Sequence, residues 1–146
     1  MAINYITSQR GSTGNSNVTG SVNVGTSNAG KVVVAMLANY TGGQTTFNSS
    51  SLGGQTSTAI AGVYASDNQR RTEVLYWDAS SLSGSQSFTI NASDSLWNYH
   101  IDWYVIDDCT LPPITSATDG ADPLSVNVGT EADDIILAVS QRFFNT

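Results

Sequence analysis

The stretch Trp97 to Asp107, WNYHIDWYVID, places Trp97, Tyr99, Ile101, Trp103 and Val105 on one side and Asn98, His100, Asp102 and Tyr104 on the other. Side chains of a strand point alternately to the two faces of its sheet, so a period of two with one aromatic side is the pattern of a strand lying against a core. The expectation is a central strand with Trp97, Tyr99, Ile101 and Trp103 largely buried. Two other runs, KVVVAML at Lys31 to Leu37 and IILAV at Ile135 to Val139, are apolar at consecutive positions. Strands covered on both faces read this way.

Outward from these runs the chain breaks into short segments rich in Val, Ile, Thr, Tyr and Trp, punctuated by Gly, Asn, Asp and Ser. Candidate strands are Val18 to Val24, Lys31 to Ala38, Thr45 to Leu52, Ser57 to Ala65, Arg71 to Asp78, Gln86 to Asn91, Trp97 to Ile106, Leu124 to Val128 and Asp134 to Gln141. No segment keeps a helical period over three turns. About nine short strands at this spacing predict an all-β fold, an antiparallel, jelly-roll-like β-sandwich. LGGQ at Leu52 to Gln55 and TGGQ at Thr41 to Gln44 read as Gly-Gly turns, because no helix start or phosphate-loop lysine follows either.

The phrase SVNVGT occurs twice, at Ser21 to Thr26 and at Ser125 to Thr130, each copy running through a polar tetrad into an apolar run. Each reads as an alternating strand, a Gly-Thr turn and a core strand, which suggests equivalent hairpins in two facing halves. Residues 1–16 hold only Ile3, Tyr5 and Ile6 as apolar anchors in a polar, Gly-containing stretch, and read as an extended N-terminal arm ahead of a sandwich domain at 17–146.

The 146 residues suffice for one domain. Only 12% are charged, so the surface is one of hydroxyls and amides. A net charge of -7 repels phosphate backbones and anionic bilayers, which argues against nucleic-acid and membrane partners. No apolar stretch suits a signal peptide or a bilayer span. With Cys109 the single cysteine, the expectation is a protein that folds in a reducing cytoplasm, its thiol a small apolar filler. Four Asn-x-Ser/Thr triplets, at Asn17, Asn39, Asn48 and Asn91, are expected to reflect a chain rich in Asn, Ser and Thr, not glycosylation.

Catalytic chemistry is hard to assemble from these residues. His100 is the only histidine, which excludes a His-cluster zinc site, and no serine sits in a nucleophile elbow. Asp107, Asp108, Asp119, Asp122, Glu131, Asp133 and Asp134 lack the spacing of a calcium loop and read as acidic turns. The expectation is therefore no catalytic residue, no metal and no cofactor. An aromatic platform for sugar rings, formed by Trp77, Trp97 and Tyr104, is the alternative binding chemistry.

The order GKVVVAML, SSLGGQTSTAI, TEVLYWDASSLSGSQSFTIN, WYVIDDCTLPPI and SVNVGTEADDIILAV, over about Val18 to Val139, resembles a recurrent β-sandwich domain of bacteriophage virion proteins and bacterial surface proteins. The resemblance implies a virion structural protein, a capsid decoration or head-fibre protein above all, with a tail or baseplate component as the close variant. It implies assembly in the host cytoplasm, capsid or other virion proteins as partners, and a homo-oligomer. Candidate contact residues are Ile3, Tyr5, Ile6 and Arg10 in the arm, with Phe143 and Phe144 near Thr146. Domains of this kind generally run on past the position of Val139 with further strands, so the region from Ile135 to Phe144 is expected to be completed by another polypeptide.

Overall fold

A computed structural model describes residues 2–12, 14–40, 45–47, 50–64 and 70–109. Nine strands follow one another: β1 (Ala2–Gly11), β2 (Asn17–Asn23), β3 (Val32–Tyr40), β4 (Ser51–Leu52), β5 (Gln55–Thr56), β6 (Thr58–Tyr64), β7 (Arg70–Asp78), β8 (Ser85–Asn91) and β9 (Asn98–Asp107). They form a five-stranded sheet in the order β1-β9-β3-β7-β6 and a four-stranded sheet in the order β2-β8-β4-β5. Every pairing is antiparallel, and no helix occurs among the described residues. The chain is an all-β antiparallel sandwich, as the strand spacing predicts. The expected strands at 124–128 and 134–141, the second SVNVGT copy, Phe143 and Phe144 lie outside the described residues.

The main core lies between the sheets. Ile101, Trp103 and Val105 of β9, Val33, Ala35 and Leu37 of β3 and Leu75 and Trp77 of β7 meet Val18 and Val22 of β2, Leu52 of β4 and Phe88 and Ile90 of β8. Trp103 is fully buried, stacked on Trp77 with ring centroids 5.5 Å apart and touched from the facing sheet by Phe88 at 4.6 Å. Trp97 departs from expectation. It precedes β9, is 45% exposed, and Tyr99 is only half-buried. Pairing with β3 ends at Asn98↔Tyr40, so Trp97 precedes the strand, and its neighbour Leu96 takes the buried place at this end of the core. The aromatic alternation runs one residue further than the sheet.

β3 is buried on both faces, as its run of apolar residues predicts. Val32, Val34 and Met36 join Val74 and Ile106 in a second cluster on the face turned away from the four-stranded sheet. Lys31 falls outside the strand and is 2% exposed. Its ammonium donates to the carbonyls of Val24 (2.8 Å) and Thr26, tying the connection from β2 to the start of β3. That connection corrects the hairpin reading of SVNVGT. β2 pairs with β8 while β3 pairs with β7 and β9, so the first copy passes from one sheet to the other.

Two further segments differ from expectation. Within the strand expected at Thr45 to Leu52, residues 45–47 and 50 are not strand and 48–49 lie outside the described residues; β4 is Ser51–Leu52, turned back by Gly53 and Gly54, whose φ of 56° and 82° suit the two-residue hairpin turn that joins Leu52 to Gln55. The segment expected as an arm is extended but not detached: Ala2–Gly11 pairs with β9 from Ala2↔Asp107 to Gly11↔Tyr99. A bulge between Tyr5 and Thr7 explains why its alternation is hard to read. The extra residue, Ile6, packs on the main core, and the phase of the strand changes after it. Backbone pairing needs no apolar side chains, so polar Thr7, Ser8 and Gln9 complete the strand all the same.

Candidate functional site: an exposed edge strand

Among the described residues β1 has β9 as its single neighbour and forms one edge of the larger sheet. Its partners in β9 set which way its side chains face. Tyr5 lies opposite Tyr104, Ser8 opposite Asp102 and Arg10 opposite His100, and these β9 residues share the face away from the main core. Ile3, opposite Ile106, belongs to the same face. Ile3 is 39% and Tyr5 56% exposed, and the Tyr5 ring stands edge-on to that of Tyr104 with centroids 5.6 Å apart. Three of the four expected arm contacts, Ile3, Tyr5 and Arg10, thus form one exposed row. Ile6 does not join them, because the bulge turns it inward.

A polar chain continues this row. Arg10 Nε donates to His100 Nε2 at 3.3 Å, and the same nitrogen lies 3.1 Å from Asp102 Oδ1. One ring nitrogen cannot accept from the guanidinium and donate to the carboxylate at once, so a bare Nε2 pairs with Arg10 and an Nε2–H pairs with Asp102. No hydroxyl completes a nucleophilic arrangement with this imidazole among the described residues. Cys109 lies past the far end of β9, at least about 20 Å along the strand from His100. Burial pushes its thiol above the ordinary value, and it packs on the second cluster as a filler would. No group of three or more His, Cys, Asp or Glu side chains that could hold a metal occurs among the described residues.

The residues expected as a sugar platform are not together. Trp77 is 1% exposed inside the sandwich, since its position on β7 faces the core. Tyr104 sits on the outer face under Tyr5. Trp97 lies at the other end of β9, seven residues and about 23 Å from Tyr104, packed edge-on to Tyr40 at 5.5 Å. The contribution of Tyr40 is invisible in the sequence, because it follows from the register of β3 on β9. The same holds for the Arg10–His100 contact, which joins residues 90 positions apart.

Comparisons with family models, with curated proteins and with solved structures found no match to this chain.

Proposed function

We propose that this chain is a structural protein of a bacteriophage particle, of the capsid-decoration or head-fibre kind, which binds its assembly through the outer row of β1 and catalyses nothing. The observation that carries the reading is the exposure of Ile3 and Tyr5 on an edge strand. Large apolar side chains beside a strand edge are a recognition surface and, left open, an aggregation hazard. Charge supports the same surface. All twelve acidic residues lie at or after Asp67, so β1 offers a partner Arg10 with no carboxylate of its own. The sequence resemblance to virion β-sandwich domains supplies the kind of partner: capsid or other virion proteins, with further copies of this chain as a homo-oligomer.

The test is quantification of the chain by mass spectrometry in phage particles purified from the source that encodes it. A fixed integer ratio to the shell protein is expected. Ile3→Glu combined with Tyr5→Glu should abolish incorporation while leaving the melting transition in place. Particles lacking the chain, or incorporation untouched by the double variant, would overturn the reading.

A further inference from the structure

Between the start of β1, the end of β9 and the turn after β2, the sandwich opens into a cleft of about 460 Å³. It reaches the inner side of the sheet through Asn4 and Ile6, and Tyr5 of the exposed row is also part of its lining. Ile6, Val24 and Val105 give it an apolar floor, while Asn4, Asn23, Thr26, Asn28 and Asp107 supply amides, a hydroxyl and a carboxylate. This volume falls in the range of small-molecule sites, and the lining has their composition of an apolar surface with a few fixed polar groups.

The walls are held in place before any ligand arrives. Asn23 Oδ1 accepts from Gly25 N–H at 2.9 Å, and Asn28 Nδ2 donates to Asp107 Oδ1 at 2.8 Å. Val24 N–H donates to Gly84 O at 2.9 Å and Gly84 N–H to Gly25 O at 2.7 Å, which ties the turn to the loop before β8. Lys31 completes the bracing. Its buried ammonium is turned to the carbonyls of Val24 and Thr26 and acts as a strut of the wall. Groups fixed in this way lose little freedom when a ligand binds.

The chemistry of the lining selects the ligand. The one wall cation is engaged by backbone carbonyls, and the Asp107 carboxylate together with the net charge of -7 disfavours anions. A fixed cation ligand would find a single carboxylate, already sharing one oxygen with Asn28. What remains are side-chain amides that both donate and accept, a hydroxyl, and one free carboxylate oxygen above an apolar floor. These match the vicinal hydroxyls and C–H face of a pyranose ring. We infer that this cleft is a binding site for a neutral saccharide, with Asn28 and Asp107 as its central polar pair. The site shares Tyr5 with the β1 docking row, while its polar pair, Asn28 and Asp107, lies outside that row.

Saturation-transfer NMR with the methyl glycosides of glucose, galactose, mannose and N-acetylglucosamine, and with sialic acid as a charged control, tests the inference. At least one neutral glycoside is expected to bind with a Kd of about 1 mM or tighter, and Asn28→Ala and Asp107→Ala should each weaken it about tenfold or more. Circular dichroism should show both variants folded with a cooperative melt, lowered by no more than the loss of their one mutual hydrogen bond. Trp97→Ala should leave binding unchanged. The inference is overturned if no neutral glycoside binds at about 10 mM, if sialic acid is preferred, or if the cleft variants bind like the parent. Loss of binding in Trp97→Ala would move the sugar to the Trp97–Tyr40 corner and overturn it equally.

Discussion

Gly20 and Phe88 face each other across β2 and β8, and the Phe88 ring fills the space a Cβ at position 20 would need, its Cζ 2.8 Å from that point. Phe88 is pinned on its other side by Trp103, so the ring has little room to retreat. Gly20→Ala should therefore cost about 1–3 kcal/mol, an overpacking penalty read from the urea midpoint. A midpoint equal to the parent's would show that the ring moves freely.

The three tryptophans should separate cleanly. Trp103→Ala removes a fully buried ring from the meeting point of both sheets and should cost about 3–5 kcal/mol. Trp97→Ala should stay within about 1 kcal/mol, because much of its ring is already in water. In the parent protein iodide should quench one tryptophan readily, and that fraction should vanish in Trp97→Ala.

Glu73 is 2% exposed, and burial raises its carboxyl above the ordinary value of 4.5, with Arg71, whose Nε is 2.5 Å from Oε2, pulling it partly back. A raised carboxyl pKa stabilises the fold below the ordinary value, and that contribution is lost as pH rises through the folded value. Glu73→Gln cannot titrate. The stability of Glu73→Gln minus that of the parent should rise as pH increases from about 4.3 and then level off, whatever constant offset the substitution carries. Urea midpoints across this range check it, and a difference that falls with pH contradicts it.

Two positive-φ positions meet where β3 begins and β9 ends. Gly30, at φ 74°, accepts a hydrogen bond at its carbonyl from Cys109 N–H (2.8 Å), and a Cβ there would lie 2.9 Å from the Cys109 carbonyl oxygen. Gly30→Ala should lose more than about 1 kcal/mol. Asp108, at φ 58°, holds a conformation glycine adopts without strain, so Asp108→Gly should be neutral or gain up to about 1 kcal/mol. Paired thermal melts decide both.

The sequence is most legible where burial alone decides. The run VVVAML shows two covered faces directly, and the inward set Ile101, Trp103 and Val105 follows from period two. It is least legible where pairing decides. β1 hides behind polar side chains and a bulge, and Trp97 continues a pattern ahead of the strand, where Leu96 is the buried residue. Ile3 and Tyr5 could be singled out as large apolar residues in a polar stretch. Their alignment with Arg10, and the meeting of Asn28 with Asp107, depend on register between distant segments, which no local pattern records.

The pairing of β1 with β9 also sets an order of events. The hairpin of β6 and β7 and the small turn of β4 and β5 can close locally, but β1 and β2 must wait for partners synthesised some seventy to a hundred residues later. A topology so rich in distant contacts folds in milliseconds to seconds, not microseconds. Of the described strands β1 is made first and its partner β9 last, and through that interval Ile3, Tyr5 and Ile6 travel on a segment not yet paired with β9, which a chaperone or a second nascent copy could capture.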